Sequence, residues 1–310
     1  MTEMKALRTA YGEALVELGA CNEKVVVLDA DLAHATNTCM FADKYPNRFY
    51  NIGIAEQNLM GVAAGLSLTG LIPFASTFAL FGAGRAFEQV RNTICYPKLN
   101  VKIAVTHSGL TVGEDGGSHQ AVEDLALMRA IPNMTILVPC DANEVKKAVF
   151  AAAKLEGPVY LRIARPPAPV FTATDAPFTV GKANVLRKGK ELAIIATGLM
   201  VYQALEAAAA LAKIGIEAAV VNMHTLKPFD NEIVVQMAKA TGRIITVEEH
   251  SVIGGLGSAV AEVLSEKVPE GCRFKRIGIA DRFGQSGTPD ELLKVYGLTC
   301  ENIVNVAKTL

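Results

Sequence analysis

The sequence predicts an α/β protein of two domains, each a mostly parallel sheet flanked by helices. Short β-branched runs, such as those at 25–28 and 192–196, alternate with longer helical patterns along the chain. Continuous apolar strands of this kind are typical of parallel sheets that are covered by helices on both faces. A proline-rich, polar stretch interrupts the alternation, and 310 residues exceed what one small core organises. We therefore predict domains at 1–167 and 181–310, joined by a linker at 168–180.

The first domain begins with an amphipathic helix and then alternates between strands and helices. Asp141 is expected to cap the last of its helices, and Gly70 to form a turn. The predicted elements are helices at 4–20, 54–69, from Thr77, at 121–130 and at 142–154, with strands at 25–28, 71–76, 101–105, 135–138 and 159–163 and a short strand or loop at 49–52.

The second domain repeats this alternation on a smaller scale. A glycine-rich turn at 253–257 lacks the spacing of a nucleotide-binding loop and predicts close helix packing instead. The preceding polar residues, Glu248, Glu249 and His250, are most simply a cluster at the domain edge. The predicted elements are strands near 192–196, 217–221, 243–247 and 275–279 and helices near 199–213, 230–239 and 255–267.

The composition limits the classes of protein to which the chain can belong. Hydrophobic residues make up 51% and charged residues 20%, as in globular proteins with extensive buried surface. A net charge of −1 provides no general attraction to nucleic acid or to anionic membranes. The six cysteines include no CxxC pair, which disfavours a disulfide framework or a zinc site and indicates a reducing, cytoplasmic location. The first helix contains acids, unlike a signal peptide.

Glu56 is notable because a long uncharged stretch, from Gln57 to Gly84, follows it. A carboxylate beside so apolar a segment is costly to bury unless it is hydrogen-bonded. It is either the N-terminal acid of a core helix or a group that transfers a proton in a dry site. The segment is long enough to span a membrane, but its proline, glycines and polar residues favour a soluble core. Gly61 and Gly65 leave one helix face bare for close packing.

The loop THSGLTVGEDGGSHQ, residues 106–120, follows a predicted strand and has an unusual composition. Four glycines, two histidines and an acidic pair can bring backbone and polar groups close to a small ligand. The Lys-Ser/Thr ending of a phosphate-binding Walker loop is missing. A zinc site formed by His107, His119 and an acid is an alternative that no spacing rule supports.

Charged residues also follow two other predicted strands. Asp29 and Asp31 end the strand at 25–28, at the sheet edge where α/β proteins bind ligands, although they could equally cap the next helix. Arg165 stands at the end of the strand at 159–163, where it can bind an anion or form a salt bridge between the domains.

Three segments together carry a resemblance to a known family. GIAEQNLMGVAAGLSLTGLIPFASTF, THSGLTVGEDGGSHQ and DRFGQSGTPDELLKVYGLT resemble the carboxyl-terminal half of transketolases, which use thiamine diphosphate, and the similarity extends over essentially the whole chain. Nothing here resembles the Mg²⁺-binding GDG…N motif of the family's amino-terminal domain. The resemblance therefore implies a split enzyme, in which a separate N-terminal subunit supplies the diphosphate site with its Mg²⁺ or Ca²⁺. The active particle would contain two copies of each chain.

The resemblance also implies roles for the residues around the cofactor, and it implies no metal ligand in this chain. Glu56 would hydrogen-bond the pyrimidine N1′ of thiamine diphosphate and favour the tautomer that generates the nucleophilic ylid. Phe78 and Phe81, placed at a predicted helix start, match aromatic residues that pack against the aminopyrimidine. Asp31 matches an acid beside the cofactor.

Further matches concern the substrate. His107 and His119 resemble histidines that contact the donor ketose and the oxygens of the intermediate. Asp115 matches an acid that contacts a substrate hydroxyl. Arg8 and Arg165 match arginines that hold the phosphate of sugar phosphates.

Two departures from the family pattern bear on these roles. Ala35 replaces a phosphate-contacting serine, and Gly84 replaces a tyrosine that is common near the cofactor ring. The implied reaction is transfer of a two-carbon ketol unit from a ketose phosphate to an aldose phosphate, as in the pentose phosphate pathway. Alternatives are a split transketolase for a sulfo- or branched sugar, a deoxyxylulose-phosphate synthase, a 2-oxoacid dehydrogenase beta-type subunit, or a non-catalytic regulatory subunit.

Overall fold

Two sheets, each flanked by helices, form the structure, a computed structural model that describes residues 3–268 and 270–310. Both sheets are mostly parallel, which confirms the predicted fold class. None of the helices in these two ranges is long and apolar enough to cross a membrane. All six cysteines are free thiols.

The first part of the chain contains most of the larger sheet. Its helices and strands are β1 (Met4–Ala6), α1 (Leu7–Cys21), β2 (Val25–Asp29), α2 (Ala33–Thr36), α3 (Cys39–Lys44), β3 (Phe49–Asn51), α4 (Glu56–Leu68), β4 (Ile72–Phe78), β5 (Lys102–Thr106), α5 (Asp124–Ala130), β6 (Thr135–Leu137), α6 (Ala142–Lys154), β7 (Val159–Arg162) and β8 (Pro167–Pro169). Two π-helical segments, Phe81–Arg85 and Gln89–Cys95, lie between β4 and β5, and two 3₁₀ turns lie at Pro46–Arg48 and Leu110–Val112.

The second part contains the smaller sheet. Its elements are β9 (Asn184–Arg187), β10 (Leu192–Ala196), α7 (Met200–Ala212), β11 (Ala218–Asn222), β12 (Thr225–Lys227), α8 (Asn231–Thr241), β13 (Arg243–Ser251), α9 (Leu256–Lys267), β14 (Arg273–Ile279), α10 (Pro289–Val295) and α11 (Cys300–Thr309).

The larger sheet has seven strands in the order β12-β6-β7-β5-β4-β2-β3. All neighbours in it are parallel except β12, which runs antiparallel to β6. The carboxyl ends of its parallel strands therefore meet at one edge, where α/β sheets bind ligands. In the smaller sheet, of order β14-β13-β10-β11-β9, only β9 is antiparallel.

Helix α6 illustrates how the sequence determines these elements. Its buried residues Val145, Ala148, Val149 and Ala152 recur at helical spacing and pack against the larger sheet. As predicted, Asp141 caps the helix, because its carboxylate accepts a hydrogen bond from the backbone N–H of Glu144 at 2.9 Å.

Strand β12 was not predicted, and it joins the two parts of the chain. It leaves the smaller sheet after β11 and pairs with β6 at the edge of the larger one. Lys227 strengthens this junction, since its ammonium group donates to the carbonyls of Arg129 and Ile131 at 2.9 and 2.6 Å. One apolar core is continuous across the junction and includes Ile136 from the larger sheet and Val221 from the smaller.

Two predicted helix starts are wrong. Residues 4–6 form a strand rather than the first turn of a helix, because they pair with Pro167–Pro169 of β8. The helix expected from Thr77 begins later, because Thr77 and Phe78 pair with β5 and extend β4. The segment that follows is π-helical, a geometry that is often found at functional sites.

The polar cluster predicted at the domain edge is buried, and Glu249 in it contacts Thr111 of the first part of the chain. Glu248, Glu249 and His250 all lie in β13 and are 4% exposed or less. Glu248 accepts hydrogen bonds from the backbone N–H groups of Leu256 and Gly257, both at 2.7 Å, and so caps α9. The acids before the glycine-rich turn therefore have partners inside the protein.

A buried ion pair lies at the same junction. Arg162, at the end of β7, donates to Asp124 of α5 through Nε at 2.8 Å and Nη2 at 3.1 Å. Its guanidinium also donates to the carbonyls of Ala121 and Glu249, and Tyr160 donates to Asp124. Burial alone would raise the pKa of Asp124, but the charge and hydrogen bonds of Arg162 outweigh it and the pKa is lowered.

We expect Arg162→Met to cost about 3–5 kcal/mol in the free energy of unfolding, because it leaves the Asp124 carboxylate buried without its counter-charge. Urea denaturation of the purified chain measures the change. The exposed pair between Lys5 and Glu13 is the control, since Lys5→Met should cost about 0–1 kcal/mol. A loss at Arg162 no larger than at Lys5 would contradict this prediction.

Candidate functional site

The predicted site residues gather at the carboxyl edge of the larger sheet. All of them except Arg8, which lies in the first turn of α1, are at the end of one of its parallel strands or in the segment that follows it. In strand order across the sheet they are Arg165 after β7, His107, Asp115 and His119 after β5, Phe78 at the end of β4 and Phe81 after it, Asp31 after β2 and Glu56 after β3.

Glu56 opens α4 and is buried, with 2% of its surface exposed. Its Oε2 accepts a hydrogen bond from Nη1 of Arg85 at 2.9 Å, and the Arg85 guanidinium lies 4.6 Å from the centre of the Phe81 ring. Among residues 3–268 and 270–310, we find no hydrogen bond to Oε1 of Glu56. Arg85 therefore holds one oxygen of this carboxylate, and Oε1 remains available to accept a hydrogen bond from a ligand.

Four rings form a cluster beside this ion pair. The His107 imidazole stacks on Phe78 with ring centres 3.8 Å apart, and Phe78 stacks on Phe81 at 6.0 Å. His119 meets Phe81 edge-on at 5.4 Å. The structure thus brings together four residues that sequence analysis had placed in two separate segments.

His107 is held in one orientation in a buried position. Its backbone adopts a left-handed conformation with φ of 58°, and Thr106 Oγ1 lies 2.8 Å from its Nδ1. Burial, together with the positive charges of Arg8 and Arg165, lowers the pKa of His107 to about 3. The ring is therefore neutral at physiological pH, and its Nε2 is the nitrogen left for a ligand.

Two arginines lie on the His107 side of the cluster. Arg8 donates to the carbonyl of Ala35 at 2.8 Å, while its buried Nε has no acceptor among the described residues. Arg165 donates to the carbonyl of Val112 and to Glu114. Burial and the charge of Arg165 both lower the pKa of Arg8, as expected for two cations in one region. Such a pair suits an anion, because guanidinium groups bind carboxylate or phosphate oxygens strongly.

Asp31 and Asp115 are placed differently. Asp31 is exposed and accepts a hydrogen bond from Asn51 at 2.8 Å, which fixes it near the end of β2. Asp115 is exposed in the loop at 106–120. In the described ranges, neither acid hydrogen-bonds to the ring cluster or the two arginines.

Metal binding finds no support in the described part of the chain. Within residues 3–268 and 270–310, no group of three or more His, Cys, Asp or Glu side chains is arranged to hold an ion. His119 instead contacts Ser118, with 3.0 Å between Nδ1 and Oγ.

Sequence analysis missed the residues that hold the site in place. Arg85 could have been found, because it is the first charged residue after the uncharged stretch that begins at Gln57. Gln120 carried no such signal, although it holds the loop by donating to the carbonyls of Leu110, Gly113 and Gln285. The partner from the second part of the chain is 165 residues away, so local sequence could not indicate it.

Comparisons with known proteins agree over almost all of the chain. A family model described as transketolase, pyrimidine binding domain, matches residues 3–169, and one described as transketolase, C-terminal domain, matches residues 181–303. A protein of Methanocaldococcus jannaschii, provisionally named a transketolase C-terminal section, is 51% identical over 303 residues, 96% of this chain and 94% of that protein.

Two further relatives are similar in length to this chain. The 6-deoxy-6-sulfo-D-fructose transketolase subunit SqwH of Clostridium sp. (strain MSTE9) is 43% identical over 301 residues, 97% of this chain and 93% of that protein. A solved structure described as a split-gene transketolase, in an inactive beta4 tetramer, is 56% identical with a TM-score of 0.91. The match covers 98% of this chain and 97% of the chain in that structure.

We expect Arg165→Met to raise the pKa of His107 from about 3, because one positive charge is removed, while burial keeps it below the ordinary 6.5. NMR titration of the labelled imidazoles measures this. His224 is an internal control, since burial alone is the main cause that lowers its pKa to about 4. An unchanged pKa of His107 would contradict the prediction.

The low pKa of His107 also affects stability. Because the folded-state pKa lies below the unfolded one, His107 should reduce the free energy of unfolding as the pH falls below about 6.5.

Proposed function

This chain belongs to the transketolase family, and we propose that it is the carboxyl-terminal subunit of a split transketolase that uses thiamine diphosphate. In this proposal it transfers a two-carbon ketol unit from a ketose phosphate to an aldose phosphate. The observation that supports it most directly is Glu56, a buried carboxylate that is fixed through one oxygen and keeps the other for a ligand.

The residues present fit the pyrimidine half of this cofactor. Oε1 of Glu56 can hold a proton or a hydrogen bond at a ring nitrogen, and a dry site strengthens that contact. Phe78 and Phe81 offer ring faces to a planar heterocycle. When bound, thiamine diphosphate supplies the nucleophilic carbon and the electron sink of the reaction. Asp31 would lie beside it, held by Asn51.

Substrate would bind on the other side of the rings. The imidazoles of His107 and His119 can donate hydrogen bonds to oxygens on which negative charge develops. Arg8 and Arg165 would bind the phosphate group, and Asp115 would contact a hydroxyl group. In this assignment the buried Nε of Arg8, which has no acceptor among the described residues, finds one in the bound anion.

We propose that a separate N-terminal subunit binds the diphosphate and its Mg²⁺ or Ca²⁺, and that the assembly works in the cytoplasm. The similarity to a C-terminal section and to a split-gene transketolase supports this division. The active particle would contain two copies of each chain.

A ketose that carries a sulfonate is a second candidate substrate. Ala35 stands where the family has a phosphate-contacting serine, and the 43% identical relative acts, by its name, on 6-deoxy-6-sulfo-D-fructose. Arg8 and Arg165 suit either anion, since both present oxygens to a guanidinium. Substrate competition between the two sugars distinguishes these candidates.

Reconstitution tests the proposed function. The chain is mixed with an N-terminal transketolase subunit, Mg²⁺ and thiamine diphosphate, and then given xylulose 5-phosphate and ribose 5-phosphate. We expect sedoheptulose 7-phosphate only from the complete mixture, and about a 10²-fold or larger loss with Glu56→Ala, because proton transfer at the ring nitrogen is removed.

Glu301→Ala is the matched control, since Glu301 is an exposed glutamate on α11. Undiminished turnover by Glu56→Ala would refute the role of this carboxylate. Cofactor binding without the heptulose would direct the search to the sulfonated sugar. A mixture that does not bind thiamine diphosphate would refute the proposed function.

Association with a second chain is expected across the outer face of α4. Ile54 and Leu68, near the two ends of this helix, are 78% and 73% exposed. Gly61 and Gly65 lie on its exposed side, and a Cβ atom added to either would meet no atom within 4 Å. The bare helix face predicted from the sequence thus points away from this chain's own core.

Gly61→Leu should therefore fold normally but weaken assembly. Replacing a helical glycine removes a cost of about 1 kcal/mol, so the melting temperature should not fall. Sedimentation should show a loss of the larger species, because the leucine prevents close approach of the second chain. Ala209→Leu, at an exposed position of α7, is the control. Equal assembly of the two variants would exclude this face as the interface.

A further inference from the structure

The 3₁₀ turn at Leu110–Val112 connects the second part of the chain to the candidate substrate site. On one side of this turn, the backbone N–H of Thr111 donates to Oε1 of Glu249 at 2.6 Å. On the other side, the carbonyl of Val112 accepts a hydrogen bond from Arg165. Glu249 and the Arg165 guanidinium thus hold two peptide groups of the same turn, one on either side of the peptide between Thr111 and Val112.

The contact between Glu249 and the turn is buried and closely packed. Glu249 is 4% exposed, and Thr111 is 1% exposed. Gly109, with φ of 75°, passes so close that an added Cβ atom would lie 2.5 Å from the Glu249 carboxyl group. The turn therefore has little freedom to move while this carboxylate is in place.

The neighbouring acid of β13 has a different task. Successive side chains of a strand point to opposite faces. Glu248 caps α9 through Leu256 and Gly257 and makes no hydrogen bond to the turn. It is equally buried, with 0% exposed. Of these two adjacent buried carboxylates, Glu248 therefore stabilises a helix and Glu249 stabilises the loop.

We propose that Glu249 is a positioning residue for anion recognition, which places the Arg165 guanidinium by holding the turn at Leu110–Val112. Loss of its acceptor frees the Thr111 N–H, and the turn shifts to find another partner. The carbonyl of Val112 then moves, and Arg165 moves with it. The anionic end of the substrate is affected, while Glu56, on the far side of the ring cluster, is not.

The first test needs no activity and uses the isolated full-length chain. Hydrogen exchange of a peptide that covers residues 108–114 should be faster in Glu249→Ala than in the wild type. Glu249→Gln keeps an acceptor oxygen and should restore protection. Glu248→Ala should speed exchange at the start of α9 and leave this peptide unchanged. Unchanged exchange of the peptide in Glu249→Ala would overturn the inference.

The second test rests on the function proposed above and compares substrates in the reconstituted assembly. Glu249→Ala should raise KM for xylulose 5-phosphate about tenfold, because a misplaced guanidinium loses its paired contacts. For hydroxypyruvate, a donor without phosphate, KM and kcat should stay near their wild-type values. If Glu249→Ala disturbed the overall fold, KM and kcat would change for both donors together. That result would overturn a specific role for Glu249 in anion recognition.

A double variant tests whether Glu249 acts through Arg165. If it does, adding Glu249→Ala to Arg165→Met should raise KM for the phosphorylated donor no further. Additive effects would mean that Glu249 acts by another route and would overturn the inference. If the wild-type assembly transfers no ketol unit, the proposed function fails, and the exchange experiment alone then decides the role of Glu249.

Discussion

The buried guanidinium of Arg162 is the contact on which the arrangement of the two sheets most depends. From the end of β7, this guanidinium donates to the carboxylate of Asp124 in α5. It also donates to the carbonyls of Ala121, which precedes α5, and of Glu249 in β13. Removing the carboxylate of Asp124 would leave this guanidinium buried without water or counter-charge. The cost of breaking this set favours one relative orientation of the two sheets.

That orientation matters because the candidate site draws on both sheets. The first part of the chain supplies the groups that would contact cofactor and substrate, and all of them except Arg8 lie at or after the end of a parallel strand of the larger sheet. The smaller sheet supplies the acceptor for Thr111, and a segment near the chain end accepts from Gln120. The loop at 106–120 is therefore held on one side by its own strand and on the other by residues more than 100 positions later.

Much of the fold could be predicted because buried strands leave a strong local pattern. The apolar runs at β2, β5 and β10 are short and bounded by turn residues, and the structure confirms all three as strands. Glu56 was identifiable by its contrast with the uncharged residues after it. The residues that pair across long separations could not be predicted in this way. Strand β12 is three residues long, and the burial of Glu249 depends on a turn 138 residues earlier in the chain.

Strand β12 also has a consequence for the order in which the protein can form on the ribosome. The larger sheet begins near the start of the chain, yet its last strand ends at Lys227. Until that residue has emerged, the outer edge of β6 has unpaired N–H and C=O groups, which can pair with another nascent chain. At about 5–20 residues per second, the interval between completion of β7 and arrival of β12 lasts several seconds. A factor that shields sheet edges during synthesis would act within this interval.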